Sequence, residues 1–348
     1  MKILIDWRDI VRKLKIGIVC LFIVFMSVLL VACNNANNGK VDEDFMTLVS
    51  DVKSYKATGV LETYYDNNRK QSDFTVYFKE KDNYKVILKA SDCDEEQIIL
   101  KNSDGVNILV PSVNKNFKIK SSWPTNASYP YLLQSLSKDI ANDSEKIMSE
   151  NETKYFVETK VKLHANASGT KQKIVFSKEN NLPEEVLIYD KNQNLFMRCL
   201  YTNIELNYNV DDKEFVLENS MQQARLLYGN ELPTYENRSA ELPGYYPASV
   251  KFVSKDTIAG GTNSRTVMKF ARDDKAMSVI FELVDDSKDL ENIYEEGDAF
   301  MVMNTAGVIG DGYICFIYEG ILYTIATTSV EVEELVKVAA TYMMNSSK

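Results

Sequence analysis

Apolar and polar positions divide this chain into one continuous hydrophobic run near its start and a long body of alternating patterns. The run covers 16–31 and follows a basic segment, 1–15. From residue 57 onward, apolar residues recur at every second position, which is typical of strands with one buried face. A spacing of three and four residues predicts helices at 45–53 and 131–147.

The hydrophobic run ends in Leu30-Val31-Ala32-Cys33, and a polar stretch rich in asparagine follows at once. A basic segment, an apolar run and a small residue before a cysteine are the parts of a bacterial lipoprotein signal. We therefore expect 1–32 to be removed and Cys33 to carry covalent diacylglycerol, with no other cofactor. An uncleaved membrane anchor is the alternative, because the run nearly reaches spanning length. As a lipoprotein, the chain is anchored to the extracytoplasmic face of the cell membrane.

The chain up to residue 218 predicts one antiparallel sheet with a few helices. Residues 33–44 are polar and suit a tether, and strand patterns fill 57–120. Asp104-Gly105 supplies the positive φ that a tight hairpin turn needs. We predict an α+β fold over 45–218, a curved antiparallel half-barrel with helices packed on one side. Its further strands are predicted at 155–163, 172–177, 185–189, 196–208 and 214–217.

Residues 219–243 interrupt these patterns with a short helical piece, two prolines and few β-branched residues, so we predict a linker there. Alternation resumes over 244–345, which predicts a second, smaller α+β domain. A helix closes this domain. Thr328 and Glu331 are spaced as a capping box that would satisfy the first amides of that helix.

Eight apolar residues of the first strands allow two interpretations. They could line a cavity for acyl chains, or they could form a closed core under the predicted helices. Alternation shows that these positions are apolar, not that the space between them is empty, and the closed core is the simpler interpretation. The residues are Phe74, Val76, Phe78, Tyr84, Val86, Leu88, Ile98 and Leu100.

Charge and reactive residues argue against several functions. Without 1–32, the chain carries 35 Lys and Arg against 48 Asp and Glu, a net charge near −13. Such a surface repels the phosphate backbone, so we expect no nucleic-acid partner. The single histidine, His164, cannot form a metal site with scattered thiols. Cys93, Cys199 and Cys315 lie far apart without a Cys-x-x-Cys spacing, which indicates buried thiols whose pairing the sequence leaves open. We expect neither catalysis nor a metal.

Several stretches of the first unit resemble the LolA/RseB superfamily of lipoprotein-handling folds. One is 182–190, with the sequence LPEEVLIYD. Another is the closing run that contains Asn203, Ile204, Asn207 and Phe215. The resemblance implies the half-barrel fold for this part of the chain.

Residues 240–345 look like the small carboxy-terminal domain of Gram-positive relatives, notably at 242–245 and 322–326. With the lipoprotein signal, this arrangement is similar to sporulation lipoproteins of the YdcC type and germination lipoproteins of the GerS type. The motifs that carry the likeness are loose, and none of them contains a catalytic residue.

The resemblance implies different functions for different branches of the superfamily. LolA carriers shuttle acyl chains in the half-barrel, but a chain anchored by its own lipid does not suit a diffusing shuttle. RseB-like proteins bind a regulatory partner, and GerS-like proteins support a peptidoglycan amidase. We therefore expect a non-enzymatic accessory or scaffold protein of sporulation or germination that binds an amidase or another envelope protein at the membrane. The alternative is a carrier or sensor that binds lipid or lipoprotein in the half-barrel.

Overall fold

The computed structural model describes residues 41–92, 95–163, 170–228, 238–258, 264–284, 286 and 289–344. The predicted signal, Cys33, Cys93 and His164 lie outside the described residues. Within them, no helix is both long and apolar enough to span a bilayer.

The described residues form four helices and nineteen strands. The helices are α1 (Val41–Asp51), α2 (Leu133–Asn142), α3 (Leu217–Leu227) and α4 (Val332–Met344). The strands are β1 (Ser54–Tyr65), β2 (Asn68–Lys79), β3 (Asn83–Ala90), β4 (Glu96–Asn102), β5 (Gly105–Val110), β6 (Lys115–Lys120), β7 (Ile147–Glu150), β8 (Lys154–Val161), β9 (Thr170–Ser177), β10 (Pro183–Tyr189), β11 (Leu195–Leu206), β12 (Lys251–Ile258), β13 (Arg265–Arg272), β14 (Lys275–Leu283), β15 (Glu291–Glu296), β16 (Asp298–Val302), β17 (Thr305–Gly310), β18 (Tyr313–Tyr318) and β19 (Ile321–Thr327).

The first sheet has twelve strands in the order β15-β6-β5-β4-β3-β2-β1-β11-β10-β9-β8-β7. Its hairpins follow from short turns with positive φ, which the right-handed twist of paired strands favours. Asp66 and Asn67 take φ of 45° and 64° between β1 and β2, and Gly105 takes φ of 118° in the predicted turn before β5. The sheet is open, because β15 and β7 form its two ends.

Helices cover the inner face of the first sheet. The side chains of β1 alternate between buried and partly exposed, so one face of the strand turns toward the core. Phe45 of α1 packs on Phe176 of β9 with ring centroids 4.9 Å apart. Leu136 and Ile140 of α2 are fully buried in the same core. The helices predicted at 45–53 and 131–147 thus correspond to α1 and α2.

The second sheet has seven strands in the order β12-β13-β14-β19-β18-β17-β16, and α4 packs on one of its faces. Leu335, Ala339 and Met343 of α4 are buried there. The start of this helix differs from the prediction. The helix begins at Val332, four residues after Thr328, and the hydroxyl of Thr327 accepts the amides of Ser329 and Val330 in the turn that precedes the helix.

The two sheets are joined more closely than the predicted domain boundaries suggest. Met301, Val308 and Ile317 of the second sheet are buried in the same apolar cluster as the inner face of the first sheet. In addition, β15 leaves the second unit and pairs in parallel with β6. The segment of β15, ENIYEE, is not predicted as a strand, because it has too few apolar residues for a visible alternation.

The strand predicted before the linker differs from the structure. Residues 217–227 form α3, which corresponds to the short helical piece predicted within 219–243 and packs on the outer face of the first sheet. The strand predicted at 214–217 is instead a short 3-10 helix, Asp212–Phe215, followed directly by α3. Strands and helices nevertheless form the predicted α+β class, with an open half-barrel sheet.

Candidate functional site

Six of the eight predicted cavity residues lie together on the inner face of β2 and β3. Phe74, Val76, Phe78, Tyr84, Val86 and Leu88 are each exposed over 8% or less of their surface. They belong to one apolar cluster with α1, α2 and the segment around Trp123. Phe74, Phe78 and Tyr84 contact neighbouring aromatic rings, so these three side chains face other protein groups.

The aromatic contacts of this core form a chain across the sheet. Phe78 and Tyr84 lie with ring centroids 5.0 Å apart, and Tyr84 meets the Trp123 ring at 5.6 Å, edge to face. Such tilted and edge contacts suit the quadrupole of aromatic rings. Burial raises the pKa of Tyr84, and of Tyr131 deeper in the same core, so both phenols stay protonated.

Ile98 and Leu100 lie on the opposite face of the sheet. They pack with Leu109 and with Met221 of α3, whereas Ile99 between them belongs to the inner core. Successive residues of a strand point to opposite faces, so these two cannot line a cavity with the other six. The uninterrupted apolar run at 98–100 arises because both faces of β4 are covered.

The thiols and carboxylates form no reactive cluster in the described ranges. Cys199 and Cys315 are free and buried, and burial raises the pKa of each thiol, to about 12 for Cys315. A thiol held protonated is a poor nucleophile. The described residues contain no group of three metal-ligating side chains.

A groove rich in asparagine lies on the outer face of the first sheet, beside α3. It has a volume of about 650 Å³, and Asn107, Asn116, Asn292 and Lys118 line its floor. The amide of Asn116 donates through Nδ2 to Asn107 Oδ1 at 3.0 Å and to Asn292 Oδ1 at 2.8 Å. We call these three residues the asparagine ladder. Strand alternation does not predict this site, because Asn292 reaches it only through β15.

The outer strand of the second sheet, β12, is the most exposed of the longer strands. It pairs with β13 and is the end strand of its sheet. Val253 and Ile258 are exposed over 60% and 58% of their surfaces, and Phe252 is partly exposed as well. An end strand presents backbone N–H and C=O groups to which another strand can pair.

The fold and these surfaces define a two-sheet α+β protein with buried cores and an exposed strand edge. The chain belongs to the family described as Sporulation protein YdcC-like, whose model matches residues 12–215. Sporulation protein YdcC of Bacillus subtilis (strain 168) is 26% identical over 338 residues, which cover 97% of this chain and 100% of that protein.

Solved structures are similar at a lower level. MucB is 10% identical, with a TM-score of 0.34 over 87% of this chain and 98% of MucB. The LolA superfamily protein NE2245 from Nitrosomonas europaea is 13% identical, with a TM-score of 0.31 over 53% of this chain and 99% of that one. A chain in the structure of the CwlD amidase from Clostridioides difficile in complex with the GerS lipoprotein is 15% identical, with a TM-score of 0.20 over 51% of this chain and 97% of that one. Likenesses this distant assign no function.

Proposed function

We propose that this protein is a lipid-anchored, non-enzymatic accessory protein of sporulation that holds another envelope protein at the membrane. The observation that carries this proposal is the match to a sporulation protein along that protein's whole length. Because the alignment spans both sheets, it supports a role that the two whole proteins share, rather than a likeness limited to one domain.

The lipid anchor is the first part of the proposal. The family match begins at residue 12, so it includes the apolar run and Cys33. A net charge near −13 for the mature chain disfavours binding to anionic headgroups, so acyl chains must supply the attachment. Cys33 lies eight residues before Val41, where α1 begins. A chain of that length spans at most about 30 Å, which keeps the fold close to the bilayer surface.

Metabolic labelling tests the anchor. Cells that express the protein are grown with a clickable palmitate analogue, and label on the protein is compared with label on the Cys33→Ala variant. We expect label and membrane fractionation in the first and neither in the second. Equal labelling of the two, or a wild-type protein without label, would contradict lipidation at Cys33.

The second part of the proposal concerns the partner, which we take to be a peptidoglycan-processing amidase. This choice rests on the sequence resemblance to GerS-type lipoproteins. Anchoring one protein in the plane of the membrane raises the effective concentration of any partner bound to it. An accessory protein therefore needs a docking surface and no catalytic group.

We take β12 as the docking surface, because an extended segment of the partner could pair with its open edge. The exposed Val253 and Ile258 would then contact side chains on the added strand. The edge carries both Lys255 and Asp256, so the pairing does not depend on one sign of charge.

Co-purification tests the docking surface. The mature protein is mixed with a purified sporulation amidase, and complex formation is compared between wild type and a Val253→Lys, Ile258→Lys double variant. We expect a stable complex with the wild type and at least a tenfold weaker one with the double variant, about 1.4 kcal/mol. Ile147→Lys is the matched control, since Ile147 is 64% exposed on β7, an edge strand of the other sheet. Equal loss in the control variant would place the interface elsewhere.

A further inference from the structure

The asparagine ladder is unusual for the outer face of a sheet. Asn116 is fully buried and Asn107 nearly so, and their side chains lie between apolar positions of β4 and the exposed end strand β15. Amides at such positions must exchange hydrogen bonds with each other or with something that enters the groove. The asparagine ladder therefore forms the polar floor of an open groove.

One atom of the ladder lacks a partner. Asn116 donates two hydrogen bonds through Nδ2, and its Oδ1 is buried with no hydrogen-bond partner among the described residues. A buried carbonyl oxygen without a donor is costly, so the ladder is not fully satisfied by its own members. Asn292 is the exposed member of the ladder, and a ligand hydroxyl that reaches its amide can donate and accept at once.

An exposed aromatic ring lies beside the ladder. Tyr294 follows Asn292 by two residues on β15, so both point to the same face of the sheet. In the register of β15 and β6, Tyr294 is opposite Lys118, which lines the groove. Tyr294 is 73% exposed, so the face of its ring is available for an apolar surface to stack on.

The charges of the groove argue against an anionic ligand. Lys118 is accompanied by the carboxylates of Asp104, Asp212 and Glu218 in the lining. Asp212 is paired with Lys79 Nζ at 2.5 Å. An anion would therefore meet the carboxylates of Asp104 and Glu218 against the single ammonium of Lys118, whereas a neutral polar ligand meets amides that can donate and accept.

We propose that the asparagine ladder and Tyr294 bind a neutral oligosaccharide, with amides pairing to sugar hydroxyls and the tyrosine ring stacking on the face of one sugar. The groove volume of about 650 Å³ lies in the usual range for small-molecule sites. Glycan binding here does not depend on a protein partner at β12, because the two surfaces belong to different sheets.

Calorimetry with chitotetraose tests this site. The mature protein is kept in lauryldimethylamine oxide micelles, since a glycoside detergent would compete for the groove. We expect saturable binding with a dissociation constant below about 10 mM. Tyr294→Ala should weaken binding about fivefold, because it removes the ring contact. Asn292→Ala should weaken it as well, whereas Tyr294→Phe should retain binding because the ring remains. Ile147→Ala, at the opposite end of the same sheet, is the control for non-specific effects.

Two further ligands distinguish the source of the sugar. Glycan strands stripped of their stem peptides, with the lactyl carboxylates converted to neutral methyl amides, should bind like chitotetraose if the ligand is part of the cell wall, and chitotetraose alone should bind if it is a free oligosaccharide. Absence of chitotetraose binding, or equal affinity of wild type, Tyr294→Ala and Asn292→Ala, would overturn the proposal. Binding to intact sacculi alone would overturn it too, because recognition would then rest on peptide.

Discussion

Asp139 on α2 is a buried carboxyl group that accepts hydrogen bonds from two neutral side chains. Ser128 Oγ donates to its Oδ1 at 2.9 Å, and Gln172 Nε2 donates to its Oδ2 at 3.0 Å. Burial disfavours the charged form and raises the pKa of Asp139 from 3.8 to about 6, although both hydrogen bonds and nearby Lys138 act in the opposite direction. The folded protein therefore stabilises the protonated form of Asp139 relative to its carboxylate.

The first prediction is that Asp139 makes stability fall as the pH rises from about 4 to about 6. In that interval the folded state holds a proton that the unfolded state has released, and above it the contribution is lost. The free energy of unfolding of Asp139→Asn should increase relative to that of wild type by on the order of 3 kcal/mol between pH 4 and pH 7, because the variant does not lose this contribution. Urea titrations at a series of pH values measure it, and a difference that stays constant with pH would contradict the prediction.

Gly59 is placed where the backbone of β1 comes close to its neighbours. A Cβ atom there would lie 2.0 Å from the carbonyl oxygen of Leu200 and 2.7 Å from the ring of Phe74. The register with β11 also shifts between Thr58 and Gly59, so the strand is irregular at this point.

The second prediction is that Gly59→Ala destabilises the protein by about 1–3 kcal/mol, because the backbone of β11 has to move. Thr58→Ala is the matched control. Its hydroxyl contacts Thr202 on the exposed surface, so its loss should change the free energy of unfolding by less than about 1 kcal/mol. Chemical denaturation compares the two variants. Equal stability of Gly59→Ala and wild type would contradict the prediction, because it would show that a Cβ atom fits beside the carbonyl oxygen of Leu200 without cost.

At the scale of elements, α3 is the helix that covers the outer face of the first sheet. Met221 and Ala224 are buried against Ile98, Leu100 and Leu109. The salt bridge between Lys85 and Glu214, at 2.7 Å, fixes the preceding 3-10 helix to the same face. The helix therefore belongs to the first unit, not to a linker.

The third prediction uses two side chains of this helix. Met221→Ala removes a side chain that is 4% exposed, and we expect a loss of about 2–5 kcal/mol from the cavity that remains. Leu227→Ala removes one that is 78% exposed and should change stability by no more than about 0.5 kcal/mol. Thermal or urea unfolding separates the two. A loss in Leu227→Ala as large as that in Met221→Ala would contradict this packing of α3.

The sequence predicts elements well where one face is buried and the other is solvated. Phe74, Val76 and Phe78 alternate with polar residues, and β2 lies where the pattern indicates. The pattern fails where both faces are covered, as at 98–100, and where an edge strand has few apolar residues, as in β15. The asparagine ladder depends on β15, so its assembly could not be predicted from alternation.

At the scale of the whole molecule, one apolar cluster spans both sheets. Gln97 of β4 links them further, because its Oε1 accepts the amide of Ala306 at 2.5 Å and its Nε2 donates to the carbonyl of Ile317 at 3.4 Å. Both contacts are buried. Breaking the contact between the sheets would expose these polar groups together with the shared core.

The fourth prediction is that the two sheets unfold together. Beyond residue 32 the sequence has one tryptophan, Trp123, which is fully buried in the core of the first sheet, whereas far-ultraviolet circular dichroism reports the strands of both sheets. We expect coincident urea transitions from the two probes, as a single cooperative unit requires. A second transition seen by dichroism alone would show that the second sheet unfolds independently.

The central claim is that this protein works by holding a partner at the membrane, and co-isolation from cells measures this most directly. Tagged wild-type protein and the Val253→Lys, Ile258→Lys variant are crosslinked in sporulating cells and purified from detergent-solubilised membranes. We predict that a peptidoglycan amidase is recovered with the wild type and is depleted about tenfold with the variant. Recovery of no cell-wall enzyme with the wild type, or equal recovery with both proteins, would contradict the account.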